Sequence, residues 1–569
     1  MFKQKLKIET KSLERMLESE KRAQYSTYRF ETESPLSRIC EAGDALGPLI
    51  LKQQIGFSQW LLTGDVFYSR FRPGDRIEMR TQKANTDQSI NLSYDWKVDR
   101  ISYPLPGKIE IVVSGEKPLE SEGVKEVFLF KSSSARFNNL MLKKLNEISN
   151  SDSSNILGKD HFKISTQDSK FKELFEKLNE TQKNAIHYLI ENNLSGAIQG
   201  PPGTGKTQLL QTVITLALNS NMKVCVSSFT NAAVDNLIGR IVSDNFEHDW
   251  ARVGNVEKIK KELYPKISTD SNFIFQNFKK EVNESRLIGS TLHKLAYNKS
   301  APKVDLLVID EAGQVPIYFW PFIERLAKRV VLVGDQFQLP PVFAVDHTEL
   351  LYDNVFSLII DEETPMLETQ YRMRSEIQAW SSEKFYKGKL TPHSSVANRD
   401  YFDGRFALFP DRAVEYRKFD SQTSGKSSKS EADFISDKIE KILKDDINLN
   451  NVGVICPYRA QAGLVNSALQ HRLGVDEASK VLVDTVERFQ GQEKEAIFLS
   501  FGSSGDYQDE LRFLSDPKRL NVSITRAKSR FYCLFESKLW ERSRDSQSED
   551  LNEFLRWMTY GKTSIRRAA

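Results

Sequence analysis

The stretch Gly196-Ala197-Ile198-Gln199-Gly200-Pro201-Pro202-Gly203-Thr204-Gly205-Lys206-Thr207-Gln208 constrains this chain more than any other. It fits glycine, four free positions, glycine, lysine and a hydroxyl residue, the pattern of a loop whose backbone N–H groups wrap a polyphosphate. Gly200, Gly203 and Gly205 are expected to supply positive φ and to let the backbone approach the oxygens closely. Lys206 would reach the β- and γ-phosphates, and the Thr207 hydroxyl would ligate Mg2+. The apolar run from Leu209 to Ala217 reads as a helix whose N-terminus points at the anion. Coincidence is the bland alternative, and the apolar run before the loop and the helix after it argue against it. A phosphate loop alone does not say what the nucleotide drives.

At 569 residues the chain is long enough for several domains with real cores. Its 39% hydrophobic and 28% charged residues describe a soluble protein, expected in the cytoplasm. Net charge is only +3, so a nucleic-acid surface must be a local groove and not a global excess of base. Cys40, Cys225, Cys456 and Cys533 are far apart and form no C-x-x-C pair, which argues against structural zinc and a disulfide scaffold. The start of the chain lacks an apolar signal region, and no long apolar run would span a membrane.

Residues 1–45 read as a helical stalk, with Leu13, Met16 and Leu17 at helical spacing. Residues 46–135 carry short β-rich runs separated by Arg72-Pro73-Gly74-Asp75 and Leu105-Pro106-Gly107, the pattern of a small antiparallel barrel. Its Tyr68, Arg70, Phe71, Arg72, Trp96 and Lys97 could grip a single strand by stacking and charge, although barrel core or rim is the better reading of any one of them. Residues 136–177 restore helical period and contain a polar linker from Ser149 to Asn155. A barrel between helices suggests an arm standing off a motor core.

The core begins near Leu178, with a first α/β domain over 178–345 and a second over 346–569. A charged, helix-rich insertion is expected at about 241–286. The nearly continuous apolar run Val304 to Ile309 reads as a buried parallel strand that delivers Asp310 and Glu311 at its C-terminal end, where ligands bind in open α/β sheets. Asp310 would hold Mg2+ and Glu311 would polarise the attacking water. A third strand ends at Gly334-Asp335, before Gln336-Phe337-Gln338, a polar tip suited to sensing the γ-phosphate. The second half has strands but no phosphate loop. Two α/β domains with one cradle imply nucleotide held between them, with Arg372 and Arg526 as candidates for stabilising charge on the transferring phosphoryl group. Surface ion pairing is the bland reading of either arginine alone.

From about Leu178 to Phe535 the chain resembles the superfamily 1 helicases, in the group of the nonsense-mediated-decay helicases, senataxin and the immunoglobulin mu-binding helicase. The resemblance rests on an ordered series: Gln182, Gly200 to Thr207, Asp310 to Gln314, Gly334 to Pro341, Gln370 to Met373, Thr485 to Glu493 and Arg519 to Ala527. It implies two RecA-like domains, an N-terminal β-barrel on helical stalks and a helical insertion in the first RecA-like domain. By position, Gln182 would read adenine, Tyr371 would stack on it, and Glu493 would hold the ribose. Gln338, Arg372 and Arg526 would contact the γ-phosphate. Ser228, Asn231, Thr291, Tyr458 and Thr485 fall where the family touches the nucleic-acid backbone. Departures are Arg374-Ser375 where many relatives have His-Pro, Gln336 where His is frequent, and Glu495 where Asp is frequent. Neither a Cys/His-rich regulatory domain nor an appended nuclease is evident. The resulting expectation is a monomeric ATP- and Mg2+-dependent translocase that moves 5′→3′ along single-stranded DNA or RNA and unwinds duplexes. Two alternatives stay open: an ATPase that strips proteins from a strand without unwinding, and a nucleotide-gated switch.

Overall fold

The computed structural model describes residues 10–561 except 42–44, 66–68, 70, 72, 83–88, 106, 116–118, 120–122, 132–134, 150–155, 159–161, 243–245, 247, 255–258, 260–273, 276–281, 283, 299, 346–352, 406–411, 421–424, 446 and 545–547. Most of the polar linker, Tyr68, Arg70 and Arg72 therefore lie outside the described residues. The chain forms two compact units, each assembled from discontinuous stretches: Met1–Arg22, Arg136–Arg372 and Phe385–Ser395 in one, Ala23–Ala135, Met373–Lys384 and Val396–Ala569 in the other.

In the second unit, strands β1 (Ala45–Gly56), β2 (Gln59–Gly64), β3 (Arg76–Gln82), β4 (Ser89–Ser102), β5 (Ile109–Ser114) and β6 (Glu126–Lys131) close into a barrel of order β1-β2-β5-β4-β3-β6. Every pairing is antiparallel. Alternate residues fill the interior, among them Leu49, Leu62, Ile77, Met79, Ile111, Val113, Val127 and Leu129. Phe71 and Trp96 are part of this core, so they are not available for stacking on a strand, whereas Lys97 is exposed. Trp96 packs so tightly that a Cβ on Gly115 would stand 2.5 Å from its indole.

The first unit is built on a parallel sheet of β7 (Gly196–Gln199), β8 (Val224–Ser228), β9 (Trp250–Val253), β10 (Ile274–Phe275), β11 (Leu287–Thr291), β12 (Val304–Ile309) and β13 (Ala327–Gly334), in the order β10-β9-β11-β8-β12-β13-β7. Its inner strands are buried along nearly their whole length, which is why they read as unbroken apolar runs. One strand, β13, separates the phosphate-loop strand β7 from the carboxylate-bearing β12. Leu13, Met16 and Leu17 of the N-terminal helix pack with Met141 and Leu145 in the same unit's core. A short parallel pair, β14 (Thr369–Gln370) and β15 (Thr391–Pro392), completes this unit.

Most of the span 241–286, expected as a helical insertion, lies outside the described residues. Those described include β9 and β10, which extend the sheet. The charged Arg252 disguises β9 in the sequence; in the fold its side chain is fully buried and paired with Asp235, which lets a charged residue sit in an inner strand.

The second unit also holds a parallel sheet of β16 (Val414–Phe419), β17 (Val452–Cys456), β18 (Leu482–Thr485), β19 (Lys494–Ser500) and β20 (Ala527–Glu536), in the order β16-β20-β19-β17-β18. The barrel belongs to this unit. The Tyr103 N–H donates to the Gln470 side chain at 2.7 Å, and Arg488 lies 3.5 Å from Asp75 in the loop that precedes β3. No helix among the described residues is long and apolar enough to cross a membrane.

Candidate nucleotide site and strand-contacting edges

β7 runs into the phosphate loop, whose geometry assigns each glycine its own task. Gly203 and Gly205 have φ of +79° and +77°, a region that side-chain-bearing residues avoid. Gly200 does not have positive φ, contrary to expectation. Its requirement is space, because a Cβ there would lie 2.5 Å from the Lys206 stem. Gly205 starts the helix Lys206–Asn219, whose buried Leu209, Leu210, Val213 and Ile214 anchor it against the sheet. The loop is also braced from within by Thr204, whose hydroxyl donates to the Pro201 carbonyl at 2.7 Å.

Around this cradle the first unit gathers the expected chemistry. The Lys206 ammonium donates to the Gly200 carbonyl at 2.9 Å and lies 3.7 Å from the Glu311 carboxylate. Asp310 ends β12, and one of its oxygens accepts from the Glu311 N–H at 2.9 Å. Burial pushes Asp310 up to about 7, the Glu311 charge adds to this, and Lys206 pulls the other way. Glu311 itself sits in the left-handed region at φ 54°, ψ 43°. For a residue with a side chain this costs about 1–2 kcal/mol, and such strain clusters at functional sites. Thr207 and Asp310 offer one hydroxyl and one carboxylate, oxygen donors of the kind a Mg2+ takes alongside phosphate and water.

Asp335 ends β13 fully buried. It accepts from the Tyr386 hydroxyl at 2.6 Å, the Phe337 N–H at 3.2 Å and the Gln338 amide at 3.3 Å. Burial pushes its carboxyl up, and these donors together with the Lys206 charge oppose that. Gln338 is thus aimed by Asp335, and Tyr386 fixes Asp335.

Gln182 completes a capping box with Asn179 at the start of the helix Glu180–Glu191 and donates to the Thr204 carbonyl at 3.0 Å. Both ends of its amide are held by protein, so within this arrangement it positions the phosphate loop. Gln208 likewise reaches back to the Lys177 carbonyl at 3.2 Å. The Tyr371 N–H donates to the Gly203 carbonyl at 2.8 Å, and its hydroxyl accepts from Asn179 at 2.9 Å. Its half-exposed ring lies 4.8 Å from that of His393. The Arg372 N–H donates to the Gln370 side chain, and a Cβ on Gly203 would stand 2.6 Å from the Arg372 Cβ. Gln182, Tyr371 and Arg372 therefore all meet the phosphate loop.

The strand-contacting candidates lie at the C-terminal ends of parallel strands. In the first unit Ser228 and Thr291 are register partners at the ends of β8 and β11. Asn231 opens the next helix and accepts from Arg252 at 2.9 Å. In the second unit Thr485 ends β18 opposite Cys456, and Tyr458 follows two residues later. The Ser228 and Tyr458 hydroxyls and the Gln490 amide nitrogen are buried and have no hydrogen-bond partner among the described residues.

Arg526 is buried in the second unit, between β20 and the helix Pro517–Ile524. It donates to the carbonyls of Val522 at 3.1 Å and Gln492 at 3.4 Å, and to the Thr525 hydroxyl at 3.2 Å. Glu493 pairs with Lys528 at 2.7 Å. The motif around Gln490 to Glu493 and the motif ending at Arg526 are thereby fastened together.

Comparison with known proteins agrees with this geometry. Two models described as AAA domain match residues 177–402 and 349–538. The DNA replication ATP-dependent helicase/nuclease JHS1 of Arabidopsis thaliana is 28% identical over 386 residues, covering 62% of this chain and 28% of that one. The ATP-dependent helicase NAM7 of Saccharomyces cerevisiae is 29% identical over 405 residues, 62% of this chain and 41% of that one. The DNA polymerase alpha-associated DNA helicase A of Schizosaccharomyces pombe is 28% identical over 423 residues, covering 62% of each. Over this span the chain is similar to superfamily 1 helicases. It spans less than two thirds of the length of each of these relatives.

The departures from the helicase pattern are absorbed locally. Arg374 forms a two-nitrogen pair with Glu376, and Ser375 donates to the Ala397 carbonyl. Glu495 is buried and held by Arg399 and by the Ser529 hydroxyl. Sequence reasoning missed Tyr386 as the partner of Asp335, because no motif marks it and 51 residues separate the two. Among the described residues no group of three or more His, Cys, Asp or Glu side chains could hold a metal, and the four cysteines are free thiols.

Proposed function

We propose that the chain is an ATP-driven motor that moves along single-stranded nucleic acid and separates duplexes. The observation that carries this reading is the convergence of Lys206, Glu311 and Asp310 on one phosphate cradle, with Lys206 3.7 Å from Glu311. Lys206 neutralises the β- and γ-phosphates, and Glu311, held in its strained backbone, orients and polarises the attacking water. Mg2+, held by Thr207 and Asp310, supplies charge neutralisation at the phosphates. Gln338 senses the γ-phosphate under the control of Asp335. Arg372 and Arg526 offset the charge that develops on the transferring group. Adenine is taken by Gln182 and Tyr371, and ribose by Glu493.

Ser228, Asn231, Thr291, Tyr458 and Thr485 grip the backbone of one strand, which makes binding tolerant of sequence. We further infer 5′→3′ movement and action as a monomer from the family resemblance, and residence in a reducing compartment from the scattered thiols. Either DNA or RNA serves as the track. Steady-state ATP hydrolysis measured alone, with single-stranded DNA and with single-stranded RNA tests the reading. Stimulation by one polymer, lost in Lys206→Ala, is expected. Equal low rates in all three conditions would leave a nucleotide-gated switch instead.

A further inference from the structure

Tyr458 leaves β17 at the strand-contacting edge with its hydroxyl unsatisfied, yet its ring is firmly seated. It stacks on Phe513 with ring centroids 5.3 Å apart and planes 24° from parallel. The Arg519 guanidinium lies over the Phe513 ring, 4.2 Å from its centroid, and the Lys426 ammonium lies over the Tyr458 ring, 5.2 Å from its centroid. Each of the two aromatic rings thus carries a cation. Arg519 is itself pinned, donating to Glu487 at 3.1 Å and to Asp516 at 2.8 Å. Glu487 stands two residues past Thr485 in the sequence, so Arg519 is fixed by the short helix that follows that candidate. Arg519 also lies in the helix Pro517–Ile524, and that helix leads directly into Arg526. Arg526 donates back to the Val522 carbonyl at 3.1 Å, so it is joined to this helix.

We propose that Phe513 is a positioning residue: it sets the Tyr458 ring at the strand-contacting edge, and through Arg519 it ties that contact to the helix Pro517–Ile524, two residues before Arg526. The proposal rests on the strand-binding reading of this edge. Phe513 touches neither strand nor nucleotide. Its ring completes the stack between Tyr458 and Arg519, and an aliphatic side chain of similar volume would fill the space without stacking.

The test uses the full chain with Phe513→Leu, Phe513→Tyr and Tyr458→Phe, and reads two quantities. One is binding of a labelled oligothymidine or oligouridine, followed by fluorescence anisotropy. The other is ATP hydrolysis without strand and at saturating strand. Loss of the aromatic and cation contacts in Phe513→Leu should weaken strand binding roughly tenfold and lower the maximal stimulation, with strand-free hydrolysis unchanged. Phe513→Tyr should restore both, and Tyr458→Phe should weaken binding while keeping the stack. Strand binding within twofold of wild type in Phe513→Leu would overturn the proposal. So would a parallel fall of strand-free and stimulated rates, or a failure of Phe513→Tyr to rescue. A wild-type chain that binds strand without stimulated hydrolysis would refute the motor, and the binding comparison would still decide the role of Phe513.

Discussion

Asp235 and Arg252 give the sharpest energetic prediction. Both side chains are fully buried, and their ion pair is 2.8 Å long. The guanidinium spends its other nitrogens on the Val253 carbonyl at 2.7 Å and on Asn231 at 2.9 Å. Asp235→Ala leaves a buried cation with neutral partners only, at a cost of about 3–5 kcal/mol. Against a typical total stability of about 5–15 kcal/mol, this would melt the β9–β11 side of the sheet well before the rest. Arg252→Met strands the carboxylate instead and should cost a similar amount. The pair Asp235→Leu with Arg252→Met removes both charges and should recover most of the loss, to within about 2 kcal/mol of wild type. Hydrogen exchange read by mass spectrometry on the peptide spanning Trp250–Val253 reports this local stability directly. The double variant should still bind a strand more weakly, because Asn231 has lost the nitrogen that aims it. Single substitutions that cost under about 1 kcal/mol, or a double variant as unstable as the sum of the singles, would refute the reasoning.

Three further outcomes are expected. Tyr386→Phe deprives buried Asp335 of its 2.6 Å donor, so it should cost about 1–3 kcal/mol and slow ATP turnover through Gln338, checked by thermal unfolding and kcat. Gly203→Ala places a Cβ 2.6 Å from Arg372 at a φ of +79°, so nucleotide affinity measured by calorimetry should fall at least tenfold while the sheet stays folded. Glu431 is buried beside Ser500 and Gly502, and burial pushes its carboxyl from 4.5 up to about 8. The folded protein holds this proton more tightly than the unfolded chain, so stability should fall as pH rises from about 4.5 to about 8 and then level off. Glu431→Gln should flatten that slope in thermal unfolding series, and an unchanged slope would refute the assignment.

The catalytic half of the site was legible because its chemistry is local. Gly200 to Thr207 are contiguous, and the apolar run that buries β12 also delivers Asp310 and Glu311 at its end. What stayed hidden depends on residues brought together by tertiary packing. Arg252 masks β9 until Asp235, from a neighbouring helix, neutralises it. Phe513 and Tyr386 sit outside any motif and gain their roles only through Tyr458, Arg519 and Asp335. The left-handed backbone of Glu311 has no sequence signal, because glutamate is not a residue type that favours that conformation. For the barrel aromatics the core reading was the better one: Phe71 and Trp96 fill a small core that needs large side chains.

The central claim is that ATP hydrolysis moves this chain along one strand. Strand separation on duplexes carrying a 5′ or a 3′ single-stranded tail, with ATP and Mg2+, tests it most directly, with Lys206→Ala as the control. The account predicts separation of the 5′-tailed duplex, none of the 3′-tailed duplex and none with Lys206→Ala. Failure to separate either duplex despite strand-stimulated hydrolysis would contradict it.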